Sequence, residues 1–245
     1  MDRSKRQQTH ELTRRQALVG AAATLGLGLS GAQAEQRHAE LSPDTKACIL
    51  TPEAVEGPFY FDPKLVRVDV TEGRDGAALD LTLKIAEAAT CSPLQNARVD
   101  IWQCDGLGVY SGYARQATGS TQGETFLRGM QFSDEDGLVR FRTIYPGWYP
   151  GRTPHIHFKV LLDETSLVTG QLYFPDALTD TVYASRRPYR DRKGERDTRN
   201  GTDFIFAEGG VDTLLKLQQH GDAFAGSLIV GVGRTRPIRG GAGPI

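Results

Sequence analysis

His155 and His157 alternate in "HIHFKV", and the chain has only five histidines in all. Side chains alternate along an extended strand, so both imidazoles project from one face, about 6–7 Å apart along the strand. Two imidazoles so placed can chelate one metal ion, although a bare His-x-His also fits two surface histidines with no role. The surrounding stretch "YPGWYPGRTPHIHFKV" (145–160) adds Tyr145, Tyr149 and Arg152. A metal needs further ligands, and no third histidine, cysteine or acid adjoins the pair. Tyrosine is then the donor at hand. Its high ordinary pKa means that a cation must drive its ionisation. Ferric iron does this well, whereas zinc and copper usually recruit imidazole, thiolate or carboxylate. A zinc or copper hydrolase built on His155 and His157 would want an acidic general base beside them. The nearest acid, Asp163, lies beyond the strand's end.

The elements that must hold these residues read as strands. "ALDLTLKIAEA" (77–87) places Leu79, Leu81, Leu83 and Ile85 on one face. "ARVDIWQC" (97–104) alternates through Val99 and Ile101, and the turn "SDEDG" (133–137) leads into "LVRFRTI" (138–144). Further strands are expected over 155–162, 169–175 and 226–233. "VDTLLKLQQHG" (211–221) is the one helix-like segment, ended by Gly221, with His220 as a surface residue. The basic cluster "RRPYRDRKGER" (186–196) is interleaved with acids and reads as a solvated loop. Short strands separated by Gly/Pro turns imply a mostly β chain folded as an antiparallel β-sandwich with few short helices.

The 245 residues are 39% hydrophobic and 24% charged, ordinary for a globular protein. The first 34 residues carry five basic residues (Arg3, Lys5, Arg6, Arg14, Arg15) and two acids (Asp2, Glu11). Without them, the 29 basic and 30 acidic residues fall to a balance of about −4. A nucleic-acid binder usually shows a basic surplus, so that class is set aside. Arg14 and Arg15 precede an apolar, small-residue stretch (17–29) and an Ala32-Gln33-Ala34 cleavage site, the pattern of a twin-arginine export signal. The apolar run is short for a membrane anchor, so no membrane span is expected once the signal is cleaved. The expected product is exported, periplasmic or extracellular. Residues 35–44 read as a linker, 45–235 as one domain and 236–245 as a flexible tail. Cys48, Cys91 and Cys104 form an odd set in an exported chain. One disulfide, from any of three pairings, and one buried free thiol are expected.

Three blocks in order, "DIWQCDGLGVYSGY" (100–113), "TFLRGMQFSDEDGLVRFRTIYPGWYPGRTPHIHFKV" (125–160) and "TGQLYFPD" (169–176), resemble the intradiol ring-cleavage dioxygenases. "TPEAVEGPFY" (51–60) is similar to the family's segment leading into the catalytic domain, so the likeness covers about residues 45–235. The resemblance implies a non-haem Fe(III) cofactor held by Tyr110, Tyr149, His155 and His157. Tyr110 matches the family tyrosine after the D-I-W-Q strand, with Tyr113 its close competitor. Tyr145 is implied to be a neighbour and not a ligand. Arg152 matches an arginine over the substrate ring, and Gln171 a glutamine of the same pocket. The plain alternatives are a surface salt bridge for Arg152 and an exposed strand position for Gln171. The implied reaction takes a small aromatic diol and O2 and cleaves the ring between its two hydroxylated carbons, giving a cis,cis-muconate-type product. Tyr149 would act in turn as ligand and base, and Arg152 would stabilise negative charge on the ring. Trp148, Trp102, Phe59 and Tyr60 are candidates for the pocket wall; Trp102 fits core packing equally.

Departures from the family pattern bear on substrate choice. Only "PGRTP" separates Tyr149 from His155, and Gly151 stands where classical members place Trp. The long N-terminal helical dimerisation domain of the catechol enzymes is not matched, although a homo-oligomer remains compatible with the sequence. The rival from another class is a transthyretin-like sandwich that binds carbohydrate or adhesive partners without catalytic iron. Such a module has no reason to keep Tyr, Tyr, His-x-His, Arg and Gln together.

Overall fold

Period-two alternation builds both sheets. The computed structural model describes residues 49–116 and 119–233. The expected leader, linker and tail, and Cys48, lie outside the described residues. In chain order the strands are β1 (Ala78–Glu87), β2 (Arg98–Trp102), β3 (Arg128–Phe132), β4 (Leu138–Ile144), β5 (His155–Leu162) and β6 (Thr165–Tyr173). Helix α1 (Asp176–Ser185), β7 (Lys216–His220) and β8 (Ala223–Val232) follow, with short 3-10 turns between α1 and β7. One sheet has the order β4-β1-β8-β7 and the other β3-β2-β5-β6.

The mostly β sandwich expected from the sequence is the fold observed. Its core takes one face of each sheet: Leu79, Leu81, Leu83 and Ile85 from β1, Phe141 from β4, Val99 and Ile101 from β2, and Ile156, Phe158 and Val160 from β5. All these side chains are almost wholly withdrawn from solvent, and burial of this kind is the main force holding the sheets together. One edge is laced by residues 65–70. The Met130 amide of β3 donates to Leu65 O, and the Arg142 amide of β4 donates to Val68 O.

Several local expectations need correction. Among the described strands every pairing is antiparallel except β1 with β8, which run parallel. These two strands are the first and last of the fold, so no hairpin fixes their direction. The helix-like segment 211–221 is instead a 3-10 turn, Gly210–Thr213, followed by β7. Leu215 is buried, Leu217 packs against the core and Lys216 is exposed, which is a strand's period of two. Pairing with β8 decides the conformation, and Gly221 (φ +60°) turns the β7–β8 hairpin rather than capping a helix. The strand expected over 169–175 begins earlier, at Thr165. It forms a hairpin with β5 across Asp163 and Glu164, both with positive φ.

The 186–196 stretch is not simply solvated. Tyr189 is buried, and the Arg196 side chain is only 4% exposed, with ion pairs to Asp176 and Asp180 of α1. The interleaved charges that suggest a free loop are used to dock it.

Candidate metal centre

The second face of the β2-β5-β6 region points away from the sandwich core, yet it is buried. In the ladder, Trp102 stands opposite His157, His157 opposite Gln171, and His155 opposite Tyr173. Alternation therefore sends Ile156 and Phe158 into the core and delivers His155 and His157 to the other face, as the His-x-His spacing predicts. Trp102 stacks on the His157 ring at 4.8 Å between centroids and 7° between planes. Trp102 thus packs and walls the histidine at once. With Cys104 and Tyr110 it forms a second apolar cluster, against which Phe59, Tyr60, Tyr113 and Tyr149 pack.

Tyr110 arrives on a loop wound around Asp105. The amides of Leu107 and Val109 donate to Asp105 Oδ1 at 2.9 and 3.0 Å. Gln116 then pins the Tyr110 backbone at both its amide and its carbonyl, at 2.8 and 2.6 Å. Tyr149 arrives on a neighbouring loop, tied to the first by the Gly147 amide on Asp105 O at 3.0 Å. The chain then turns through Pro150 and Gly151 (φ +82°), and the Arg152 amide returns to Tyr149 O at 3.3 Å. Glycine adopts that positive φ without the steric penalty of a side chain. Gly108 allows the two loops to meet: a Cβ there would lie 2.2 Å from Trp148 O.

The polar atoms converge. His155 Nε2 lies 3.1 Å from His157 Nε2 and 3.0 Å from the Tyr149 hydroxyl. The Thr153 carbonyl accepts from His155 Nδ1 at 2.7 Å, which assigns the proton to Nδ1 and leaves the Nε2 lone pair facing the centre. Burial, and then Arg152, push the His155 pKa down to about 3; burial together with His155 pushes His157 well below 6.5. Both rings are therefore neutral and able to donate lone pairs. Burial raises Tyr149 to about 12 and Tyr110 well above 10. The Tyr149 phenol contributes to the Tyr110 shift, yet the two hydroxyls do not meet in hydrogen-bond geometry. Among the described residues Tyr110 Oη is buried without a partner in hydrogen-bond geometry.

An unpartnered buried hydroxyl is costly, and the His155 Nε2 lone pair meets His157 Nε2 at a distance that one shared cation would also set. Nitrogen donors about 2.0–2.1 Å from one ion stand roughly this far apart. Among the described residues, no group of three or more His, Cys, Asp or Glu side chains could hold a metal. An ion at this centre must therefore draw on the phenols. That donor set fits ferric iron better than zinc. The Tyr113 hydroxyl is partnered elsewhere, with Tyr60 O at 3.4 Å. Tyr145 is bonded to Thr179 Oγ1 at 2.7 Å inside the main core.

Comparison with known proteins gives the same direction. A family model described as dioxygenase matches residues 55–193. A solved intradiol ring-cleavage dioxygenase from Tetranychus urticae is 32% identical, with a TM-score of 0.71, over 77% of this chain and 96% of that one. The chain belongs to the intradiol ring-cleavage dioxygenases. Catechol 1,2-dioxygenase of Acinetobacter baylyi is 32% identical over 162 residues, which is 56% of this chain and 51% of the relative. The beta chain of protocatechuate 3,4-dioxygenase of Burkholderia cepacia is 36% identical over 92 residues, 34% of this chain and 39% of the relative. This dioxygenase thus spans about half the length of the first of these curated relatives, and less of the second.

All six residues singled out from the sequence of this intradiol dioxygenase, namely Tyr110, Tyr149, Arg152, His155, His157 and Gln171, lie within the matched stretch. The structure gathers them around one centre. Arg152 is neither free nor on the surface: its Nε donates to Asp203 Oδ2 at 2.9 Å and its Nη2 to Gln171 Oε1 at 2.5 Å. Gln171 is 1% exposed, not an open strand position. Sequence reasoning missed Asp203, Tyr173, Thr153 and Arg128. Asp203 accepts the amides of Ile205 and Phe206, a local turn-capping pattern that could be read from sequence. Its distant partner Arg152 could not. Arg128 is fully buried with no carboxylate partner among the described residues; its donors go to Ser111 and the Phe59 carbonyl. Those bonds brace the two segments that flank Tyr110, where Phe59 stacks on the phenol ring at 4.3 Å.

The cysteines resolve in part. Cys91 is disulfide-bonded and Cys104 is the buried free thiol, as one disulfide and one free thiol require.

Proposed function

We propose that this intradiol dioxygenase cleaves a catechol-type ring between its two hydroxylated carbons with O2. A non-haem ferric ion would be held by Tyr110, Tyr149, His155 and His157, and both oxygen atoms would enter a cis,cis-muconate-type product. The observation that carries this reading is the convergence of two neutral imidazoles and two buried phenols, one of them with no protein partner. When bound, the ferric ion supplies a Lewis acid that favours phenolates and draws electron density from a chelated catechol, preparing the ring to react with O2.

The chain's own residues do the rest. Tyr149 Oη, the more accessible of the two phenols, takes a proton from the incoming diol, a general-base role. Thr153 O holds the His155 tautomer through Nδ1–H, keeping Nε2 as the donor atom. Trp102 and Phe59 stack on His157 and Tyr110 and exclude water from that side. Arg152 brings a fixed positive charge to the site, where preorganised charge stabilises negative charge developing on the ring. Gln171 holds the guanidinium edge through its Oε1.

The test is the visible spectrum of the iron-loaded protein under anaerobic conditions, without and with catechol. A broad tyrosinate-to-iron band that moves to longer wavelength on adding catechol, then collapses in air as the ring opens, supports the reading. A colourless, folded, iron-supplied protein overturns it and returns the sandwich to a binding role.

We also infer export through a twin-arginine route, on the support of the Arg14-Arg15 pair, the apolar stretch and the Ala32-Gln33-Ala34 motif. Secreted protein beginning at Glu35, with retention when both arginines are changed to lysine, is the expected result.

A further inference from the structure

We propose that Asp203 is the positioning residue of this site, fixing the Arg152 guanidinium in the one orientation that serves the reacting ring. The proposal rests on the dioxygenase reading above and extends it to a residue ten positions beyond the family-matched stretch.

The Asp203 side chain is fully buried, while that of Arg152 is 12% exposed, so the carboxylate is the inner partner of the pair. Its two oxygens divide their work. Oδ1 accepts the amides of Ile205 and Phe206 at 2.9 and 3.1 Å, which locks the carboxylate onto its own turn. Oδ2 accepts Arg152 Nε at 2.9 Å and the Thr153 amide at 2.8 Å. A residue serving only as a turn cap would need Oδ1 alone. Oδ2 is instead committed to the Arg152-Thr153 dipeptide, whose other contacts lead to His155 through Thr153 O.

The guanidinium is held along a second edge. Arg152 Nη2 donates to Gln171 Oε1 at 2.5 Å; that oxygen also accepts the Tyr173 hydroxyl at 3.0 Å, and Gln171 Nε2 is tied to Val55 O at 3.1 Å. With Nε and Nη2 both occupied, the plane of the group is defined. Nη1 takes no part in these two bonds and is the donor left to turn towards substrate. An unrestrained arginine would swing through many rotamers, and misplacement of a catalytic group by about 1 Å can cost ~100-fold in rate. Burial acts to raise the Asp203 carboxyl, but the Thr153 amide and the Arg152 guanidinium outweigh it and hold it below the usual carboxylate range, so the grip is ionic in neutral solution.

The test compares Asp203→Asn, Arg152→Ala and the double variant, each in the full chain loaded with iron. Asparagine keeps the shape and loses the charge. Expected are an unchanged resting visible band, a kcat lowered about 100-fold with KM little altered, and no further loss on adding Arg152→Ala to Asp203→Asn. A merely structural residue would lower stability without this non-additivity. A second readout needs neither iron nor turnover: the Arg152 Nε–H resonance of the metal-free protein, slow to exchange in the wild type and fast in Asp203→Asn. If Asp203→Asn does not fold, Asp203→Glu carries the test, with a lowered kcat and intact iron band expected. Wild-type kcat in either variant, or losses that multiply in the double variant, overturn the proposal. If the wild-type chain cleaves no catechol at all, the functional reading itself falls and takes the proposal with it, while the Nε–H exchange still reports whether the pair exists.

Discussion

At the residue scale the decisive contrast is between tyrosines of identical chemistry. Tyr110, Tyr113, Tyr145 and Tyr149 fall within forty residues of one another, and only two of them face the histidines. Tyr113 and Tyr145 have partners of their own, whereas Tyr110 Oη has none among the described residues. Tyr110→Phe is therefore expected to abolish the tyrosinate component contributed by that ligand and to weaken iron retention, while Tyr113→Phe leaves both near wild type. Visible spectra and iron-to-protein ratios of the two variants check this. Tyr149→Phe removes the proposed proton acceptor and is expected to lower kcat by ~10²–10⁴-fold, measured by oxygen uptake with catechol.

The histidines give a pH prediction for the metal-free protein. The folded His155 pKa, about 3, lies below its ordinary value of 6.5, so between those limits the unfolded chain binds the extra proton. Stability is then fully present above pH 6.5 and falls as the pH drops from 6.5 towards 3. His157 shifts in the same direction for the same cause, burial. Urea midpoints of the metal-free protein at pH 7 and pH 5 should show the decline, and His155→Gln should lessen it, with the His157 share remaining.

At the scale of elements, the site depends on two loops meeting the outer face of one sheet. Gly108 has φ +86° and an added Cβ would collide with the Trp148 carbonyl, so any side chain there must push the Tyr110 loop away from the Tyr149 loop. Gly108→Ala is expected to destabilise the fold by about 1–3 kcal/mol and to lower iron occupancy more than its effect on stability alone would. Paired measurements of Tm and bound iron distinguish the two effects. The 211–221 segment shows how elements override local signals: its leucines suit a helix in isolation, but the β8 edge offers a full set of backbone partners and wins.

At the scale of the whole molecule, one strand serves two purposes. The inner residues of β5, Ile156, Phe158 and Val160, belong to the core, and its outer residues His155 and His157 belong to the site. The core can therefore be weakened at a distance without touching the chemistry. Leu83 on β1 is fully buried in the opposite sheet. Leu83→Ala is expected to cost about 2–5 kcal/mol with the iron band unmoved at a temperature where the variant is folded; denaturant melts and visible spectra check both halves. A shift in the band would mean that the two faces are mechanically coupled.

Alternation along the chain is enough to predict the sandwich and the shared face of His155 and His157, and residue type alone suggests the proposed donors. Alternation and ligand chemistry are local properties, carried by residues two positions apart or by the side chain itself. The sequence also marked Arg152 and Gln171 through their positions in a recognisable block. Tertiary packing was needed to bring Tyr110 and Tyr149 to the histidines, to stack Trp102 on His157, and to tie Arg196 to α1. It alone revealed Asp203, which meets Arg152 across fifty-one residues of chain. Contacts of that separation are set by how the sheets and loops pack, and no local pattern of residue types encodes them.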